Sequence, residues 1–224
     1  MPFLIFLKSI EVLLFEIMSW IVFYPRTMWR SGRHPLQMMD RSEQEVKLPA
    51  EQQFRDVVSP PIFLLLTVIV AHAFEVAVAG NSALIDSGIG LAGLIQDNTS
   101  LIVYRLIAFA SPPVIAGALA LIATGRHVNR DTLQPLFYAQ CFLTTPAVLL
   151  CSIAATLTRL PSAEANIPAA ILVVAAIGFY IAVEATWFTR EANRGPMIGF
   201  LWAVAVFALS ALVVAATALL FAGI

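Results

Sequence analysis

Five long runs of apolar residues divide the chain, and short polar stretches separate them. Each run is long enough to supply the roughly 20 residues that a helix needs to cross a bilayer. Because backbone groups in lipid must be paired within their own segment, these runs are predicted to be helices. The predicted spans are Pro61 to Gly80, Leu101 to Ala123, Leu136 to Leu157, Pro168 to Phe188 and Met197 to Ile224.

Composition agrees with this pattern. Of the 224 residues 60% are hydrophobic and only 12% are charged, against about 25% charged in soluble domains. The sequence therefore predicts an all-α fold, a polytopic transmembrane helical bundle. The net charge of −1 indicates no attraction to nucleic acid. Cys141 and Cys151 fall ten residues apart in one predicted helix, about 15 Å along its axis, which is too far for a disulfide.

Residues 1–24 are apolar and long enough to span, but they include charged positions. On a helix, one side collects Lys8, Glu11, Ser19 and, more loosely, Glu16. Such a stripe favours an amphipathic helix in the membrane interface, with Trp20 and Tyr24 at headgroup depth. A sixth span with its polar stripe turned inward is the alternative.

Residues 25–59 are too polar for lipid and too few for a separate domain. We expect Arg26, Trp29, Arg30 and Arg33 to contact lipid headgroups. The segment is interpreted as a juxtamembrane anchor, with a docking site for a protein partner as the alternative. The chain thus divides into an N-terminal helix (1–24), a basic segment (25–59) and a five-helix transmembrane domain (60–224).

The basic residues are distributed unequally between the two sides of the predicted membrane. Ten lie in the basic segment and in the loops after the second and fourth spans, and Arg159 alone lies on the other side. By the positive-inside rule residues 25–59 are cytoplasmic and the C-terminus lies across the membrane.

Ionisable residues within spans are costly and are candidates for function. Glu75 and Arg105 are at matching depth with opposite sign, so they are predicted to form an interhelical pair, with His72 one turn from Glu75. The pair is interpreted as a structural clasp, with a proton or substrate relay as the alternative. Glu184, near the end of the fourth span, is expected to snorkel to the interface.

Prolines interrupt two spans near their centres. Pro112 and Pro113 in the second span and Pro146 in the third each remove a backbone donor, so both helices are predicted to kink. The third span also contains Gln140, Thr144 and Thr145, for which we expect hydrogen bonds across to another helix.

No catalytic, cofactor-binding or metal site is predicted. Gly88, Gly90 and Gly93 spell a nucleotide-binding pattern, but no strand precedes them. Asn98 begins a glycosylation sequon, which has meaning only in a eukaryotic secretory pathway. The histidines are isolated from other ligand types, and no catalytic constellation stands out.

An N-terminal cytoplasmic segment followed by five closely spaced spans resembles the Yip family of membrane-trafficking proteins and their bacterial relatives, which are often labelled permeases. The similar stretches are PLFYAQCFLTTP, from Pro135 to Pro146, and Trp187 followed by Arg190 and Gly195. The resemblance covers roughly Arg55 to the C-terminus and lacks the long cytosolic region of eukaryotic members. High alanine content and short loops suggest a bacterial inner membrane.

Two functions remain open at this point. The preferred one is a non-enzymatic scaffold or accessory protein of Yip-like type, acting through membrane lipids, a membrane-protein partner or a second copy of itself. The alternative is a small permease with a route lined by the kinked second and third spans together with His72, Glu75 and Arg105.

Overall fold

The computed structural model describes residues 2–80 and 98–222, and these two stretches form seven α-helices without a strand. In chain order they are α1 Pro2–Arg33, α2 Pro35–Glu45, α3 Pro60–Ala79, α4 Asn98–Thr124, α5 Arg130–Leu157, α6 Asn166–Glu191 and α7 Pro196–Ala222. Two short 3-10 turns, Ala50–Gln52 and Ala163–Ala165, lie in the connections. The predicted all-α helical bundle is confirmed.

Helices α3 to α7 are long and apolar enough to cross a membrane, so the five predicted spans are confirmed and the protein is a multi-pass membrane protein. The third span begins earlier than predicted, at Arg130 instead of Leu136. Asn129 explains the difference because its side chain caps the helix. The Thr132 amide donates to Asn129 Oδ1 over 2.9 Å, and Thr132 Oγ1 accepts from the Asn129 amide over 3.1 Å.

Helix α5 is the central helix of the bundle. It packs against α2, α3, α4 and α6, and every residue from Ala139 to Ala147 is buried. Helices α6 and α7 pack against each other and leave large apolar side chains such as Val174 and Leu212 exposed. In a membrane those exposed apolar faces contact lipid, whereas polar groups on α5 are enclosed by protein.

The backbones of α6 and α7 come close together at Gly199 of α7. A Cβ at this position would overlap Thr189 Oγ1 and would lie 2.5 Å from the Ala185 carbonyl oxygen of α6. Small residues permit such backbone contact between membrane helices. Gly199 therefore sets how closely α6 and α7 pack.

Helix α1 does not stop at residue 24 but continues through Pro25 to Arg33. Its C-terminal part packs on the bundle: the Tyr24 hydroxyl lies 2.9 Å from Thr67 Oγ1, and the Val58 amide donates to Thr27 Oγ1 over 3.1 Å. The Tyr24 hydroxyl is thus paired within the protein. Every side chain from Phe6 to Met18 is exposed, which favours the interfacial interpretation of this half of α1.

Pro112 and Pro113 lie inside α4, and Pro146 lies inside α5. Pro112 leaves the Ala108 carbonyl without its helical donor. The Ser111 hydroxyl donates to that carbonyl over 2.7 Å and replaces the missing bond. The kinks themselves stay a prediction.

Candidate functional site

One polar cluster lies where α3 ends and α4 begins. The Arg105 guanidinium pairs with the Glu75 carboxylate, so the expected pair between α3 and α4 is formed. Arg105 Nη1 also lies 3.5 Å from His72 Nδ1. Arg159, just after α5, donates through Nη1 to Glu75 Oε1 over 3.0 Å. A single carboxylate therefore joins α3, α4 and the turn that follows α5. We call His72, Glu75, Arg105 and Arg159 the Glu75 cluster.

Burial makes this cluster different from a surface ion pair. The Glu75 side chain is 8% exposed, that of Arg105 15% and that of Arg159 24%. Desolvated ions are stable only when paired, and removal of one partner leaves the others uncompensated. The sequence analysis did not assign Arg159 to this cluster. Its signal was that it is the single basic residue on its side of the predicted membrane.

A second polar group extends along the facing sides of α5 and α6. Glu184 faces Gln140, and one turn away Tyr180 faces Thr144. All four side chains are at least nine-tenths buried, as is Ser210 on α7. Glu184 and Gln140 thus form one close polar pair and Tyr180 and Thr144 another, whereas Ser210 has no hydrogen-bond partner within the part of the chain that the structure describes. We call these five residues the buried polar row.

One expectation about these residues is wrong. Glu184 does not snorkel, because its side chain is fully buried on the face of α6 that packs against α5. Gln140 and Thr144 each face a polar side chain of α6 as expected, Gln140 facing Glu184 and Thr144 facing Tyr180. Thr145 donates instead to the Cys141 carbonyl of its own helix over 2.6 Å. Glu184 is therefore separate from the cluster of His72, Glu75 and Arg105.

The buried polar row is costly for a bundle that serves packing alone. Taking polar groups out of water costs free energy even where they pair with one another, and an acidic side chain inside a membrane bundle is among the costliest. Apolar side chains of similar volume would avoid these costs. Such groups in membrane helices are typical of solute or proton pathways.

Two adjacent cavities lie beside these polar groups. The first, about 210 Å³, is lined by Glu75, Arg105, Phe109 and Cys151 among others. The second, about 240 Å³, lies between α4, α5, α6 and α7, and its lining includes Thr144, Tyr180 and Ser210 of the buried polar row and also Pro112 of α4. Phe109 and Cys151 line both cavities. The two cavities are therefore neighbours, the first beside Glu75 and Arg105 and the second between α4, α5, α6 and α7.

Packed aromatic rings lie inside the bundle between Glu184 and the end that α2 covers. The Trp187 and Phe188 rings meet edge to face at 5.2 Å, and Phe188 stacks on Trp202 at 5.9 Å. Trp187 and Phe188 are almost fully buried, and they belong to the same apolar cluster as Met39 of α2. These contacts separate the buried polar row from the α2 end.

Helix α2 is held to the bundle by its charges. Arg190 pairs with Asp40 at 2.8 Å, Arg126 pairs with Glu191 at 2.8 Å, and Arg41 pairs with Asp56. The Arg41 guanidinium lowers the pKa of Asp56 to about 2. The charges of residues 25–59 thus pair with one another and with the end of α6, whose Glu191 pairs in turn with Arg126 after α4.

Glu43 lies on α2, where its negative charge destabilises the folded protein. Burial and the nearby carboxylates of Glu191 and Asp40 raise its pKa to about 7. Since the folded state binds this proton more tightly than the unfolded chain, stability falls as the pH rises from about 4.5 to about 7. Replacement of Glu43 by Gln removes this loss of folding stability.

We expect E43Q to match the wild type near pH 4.5 and to unfold at a higher temperature than the wild type above pH 7. Thermal unfolding of the purified protein in detergent as a function of pH measures this. D56N is the control, because its lost interaction is present throughout that range and weakens only as the pH falls from about 4 to about 2. Parallel curves for E43Q and the wild type between pH 4.5 and 7 would contradict the raised pKa.

The predicted headgroup residues lie on the last turns of α1. Trp29 is 68% exposed, and the Arg33 guanidinium lies over its ring at 5.9 Å. Arg26 is exposed, whereas Arg30 pairs with Asp56 at 3.1 Å. Three of the four side chains are thus placed where a headgroup can reach them.

The glycine pattern Gly88, Gly90 and Gly93 lies outside the described residues. The sequon at Asn98 falls at the start of α4. The cysteines are free and both belong to α5, Cys141 buried and Cys151 exposed. Comparison of the chain with models of protein families, with curated proteins and with solved structures found no match.

Proposed function

We propose that the protein is a small non-enzymatic permease whose solute route follows the two cavities from the Glu75 cluster to the buried polar row. The observation that supports it most is the row itself. Five buried polar side chains lie together between α5, α6 and α7, and three of them, Thr144, Tyr180 and Ser210, line the second cavity. In transporters, polar side chains at this depth face the substrate or water.

The volumes indicate the size of the solute. Cavities of about 210 and 240 Å³ are smaller than the roughly 300–1,000 Å³ of pockets for drug-sized ligands. They fit a solute of a few heavy atoms. Pro113 leaves the carbonyl of Phe109 without its helical donor, and Phe109 lines both cavities, where water or solute can pair with that carbonyl.

A vesicle swelling assay tests this function. Proteoliposomes shrunk in hyperosmotic acetate, lactate or glycerol re-swell at the rate of solute entry, which light scattering records. We expect the wild type to speed re-swelling with at least one of these solutes. Ala147→Phe fills the second cavity and is expected to abolish the effect. Val174→Phe is the control, because Val174 is 71% exposed on α6 and touches neither cavity.

Our proposal includes the orientation and location derived from the sequence. Residues 25–59 face the cytoplasm, the C-terminus lies across a bacterial inner membrane, and the Glu75 cluster is at the outer end. The relationship to the Yip family is part of the same proposal. Its support is the order of an N-terminal segment before five spans.

A scaffold or accessory role is the second candidate, and the exposed half of α1 favours it. Side chains from Phe6 to Met18 lie outside the packed bundle, where lipid or a partner subunit can cover them. Purification in a mild detergent distinguishes the two functions. Co-purification of another membrane protein that is lost on deleting residues 2–18, with no solute entry, would support the scaffold and contradict the permease.

A further inference from the structure

Glu184 is the acidic member of the buried polar row, and the two cavities do not include it. Its side chain is 0% exposed, and among the described residues no cation pairs with its carboxyl group. Gln140 of α5, also 0% exposed, is the polar side chain that it faces. The acid and the amide are thus enclosed together.

The chemistry of this pair suits a group that gains and loses a proton. A carboxylate with no cation is costly in an apolar interior, so the neutral acid is the favoured form. The neutral acid donates through its O–H to Gln140 Oε1, whereas the carboxylate accepts from Gln140 Nε2. Gln140 can therefore stabilise both forms without a change in its own charge.

The titratable neighbours of Glu184 are few. Tyr180 lies one turn away on α6 and interacts with Glu184 electrostatically. From α5 only the neutral Gln140 faces it, and α7 has no titratable side chain between Pro196 and Thr217. On α2 the charged groups interact with one another and with Arg126, Arg190, Glu191 and Asp56 at the end of the bundle. No described cation fixes Glu184 in its charged form.

We propose that Glu184 and Gln140 form a proton-binding site through which the protein couples solute movement to proton movement. Tyr180 and Thr144 lie between this site and the second cavity, which they line with their apolar atoms. Trp187 and Phe188 separate it from the α2 end, so the proton reaches it from the cavity side. The coupling rests on the proposed permease function, whereas the proton site does not.

Infrared spectroscopy of the purified protein tests the proton site without any solute. The experiment uses the E43Q background, because the pKa of Glu43 is about 7 and its acid form would add a carbonyl band near neutral pH. We expect a carboxylic-acid carbonyl band at neutral pH that shifts in D₂O and is lost in E184Q. D56N is the control, because Arg41 lowers the pKa of Asp56 to about 2 and Asp56 therefore contributes no such band near neutral pH. Absence of the band, or its persistence in E184Q, would overturn the proton site.

Swelling of proteoliposomes under a pH gradient tests the coupling. We expect an inward proton gradient to speed entry of a solute that passes the wild type, and the ratio of the entry rates with and without the gradient to fall to one in E184Q. Solute entry at the same rate with and without the gradient would contradict the coupling but not the permease function. If no solute enters the vesicles, the proposed permease function is contradicted. The carbonyl band of Glu184 then still tests the proton-binding site by itself.

Discussion

Replacing Glu75 with Gln is expected to lower the free energy of unfolding by about 3 kcal/mol, because it leaves two largely buried guanidinium groups without their carboxylate. Glu75 lies on α3 and pairs with Arg105 of α4 and with Arg159 after α5. The substitution therefore removes the contact that these three segments share. Chemical unfolding in mixed detergent micelles, followed by circular dichroism, measures the loss.

Arg126→Gln is the control for Glu75→Gln. The Arg126 side chain is 52% exposed in its pair with Glu191, so its loss is expected to cost less than about 1 kcal/mol. The exchange of charges in E75R/R105E is expected to restore only part of the stability, since Arg159 then faces Arg at position 75. Full stability of Glu75→Gln would show that the cluster does not hold the three segments together.

Gly199→Ala is expected to destabilise the protein by at least about 2 kcal/mol through overpacking. The added methyl group would overlap Thr189 Oγ1 and would lie 2.5 Å from the Ala185 carbonyl oxygen and 2.9 Å from the Thr189 amide nitrogen. The hydroxyl can rotate away, but the two backbone atoms cannot, so α6 and α7 must separate. The midpoint of thermal unfolding in detergent measures the effect.

Gly178→Ala on α6 is the matched control. Nothing lies within 4 Å of a Cβ at Gly178, and alanine in a helix interior is favoured over glycine by about 1 kcal/mol. We expect this variant to be as stable as the wild type or more stable. Equal destabilisation by both variants would mean that helix propensity or detergent, not the α6–α7 contact, determines the result.

The sequence was sufficient for the spans because apolar length is local information. It also predicted the Glu75–Arg105 pair, since depth and sign can be read along the chain. The early start of α5 required recognition of Asn129 as a cap. Helix length and hydropathy thus account for most of the fold.

The buried polar row could not be predicted in the same way. Sequence places Glu184 near the end of a span, beside Arg190, and from depth alone snorkelling is the simplest interpretation. Whether it faces lipid or protein depends on which helix lies next to α6 and on the rotation of α6 about its axis. Both are set by packing against α5 and α7, where Gly199 allows close approach. Arg159 was missed for a related reason, because a loop residue has no assigned depth.

The central claim is that water and solute reach the cavities inside the bundle, and the two native cysteines of α5 test it most directly. Cys151 lines both cavities, whereas Cys141 is 0% exposed and lines neither. In proteoliposomes treated with a charged, membrane-impermeant methanethiosulfonate, we expect Cys151 to be modified in C141A protein and Cys141 to stay unmodified in C151A protein. Protection of Cys151 in the membrane, with full reaction after denaturation, would show that the cavities are closed to water and would contradict the permease.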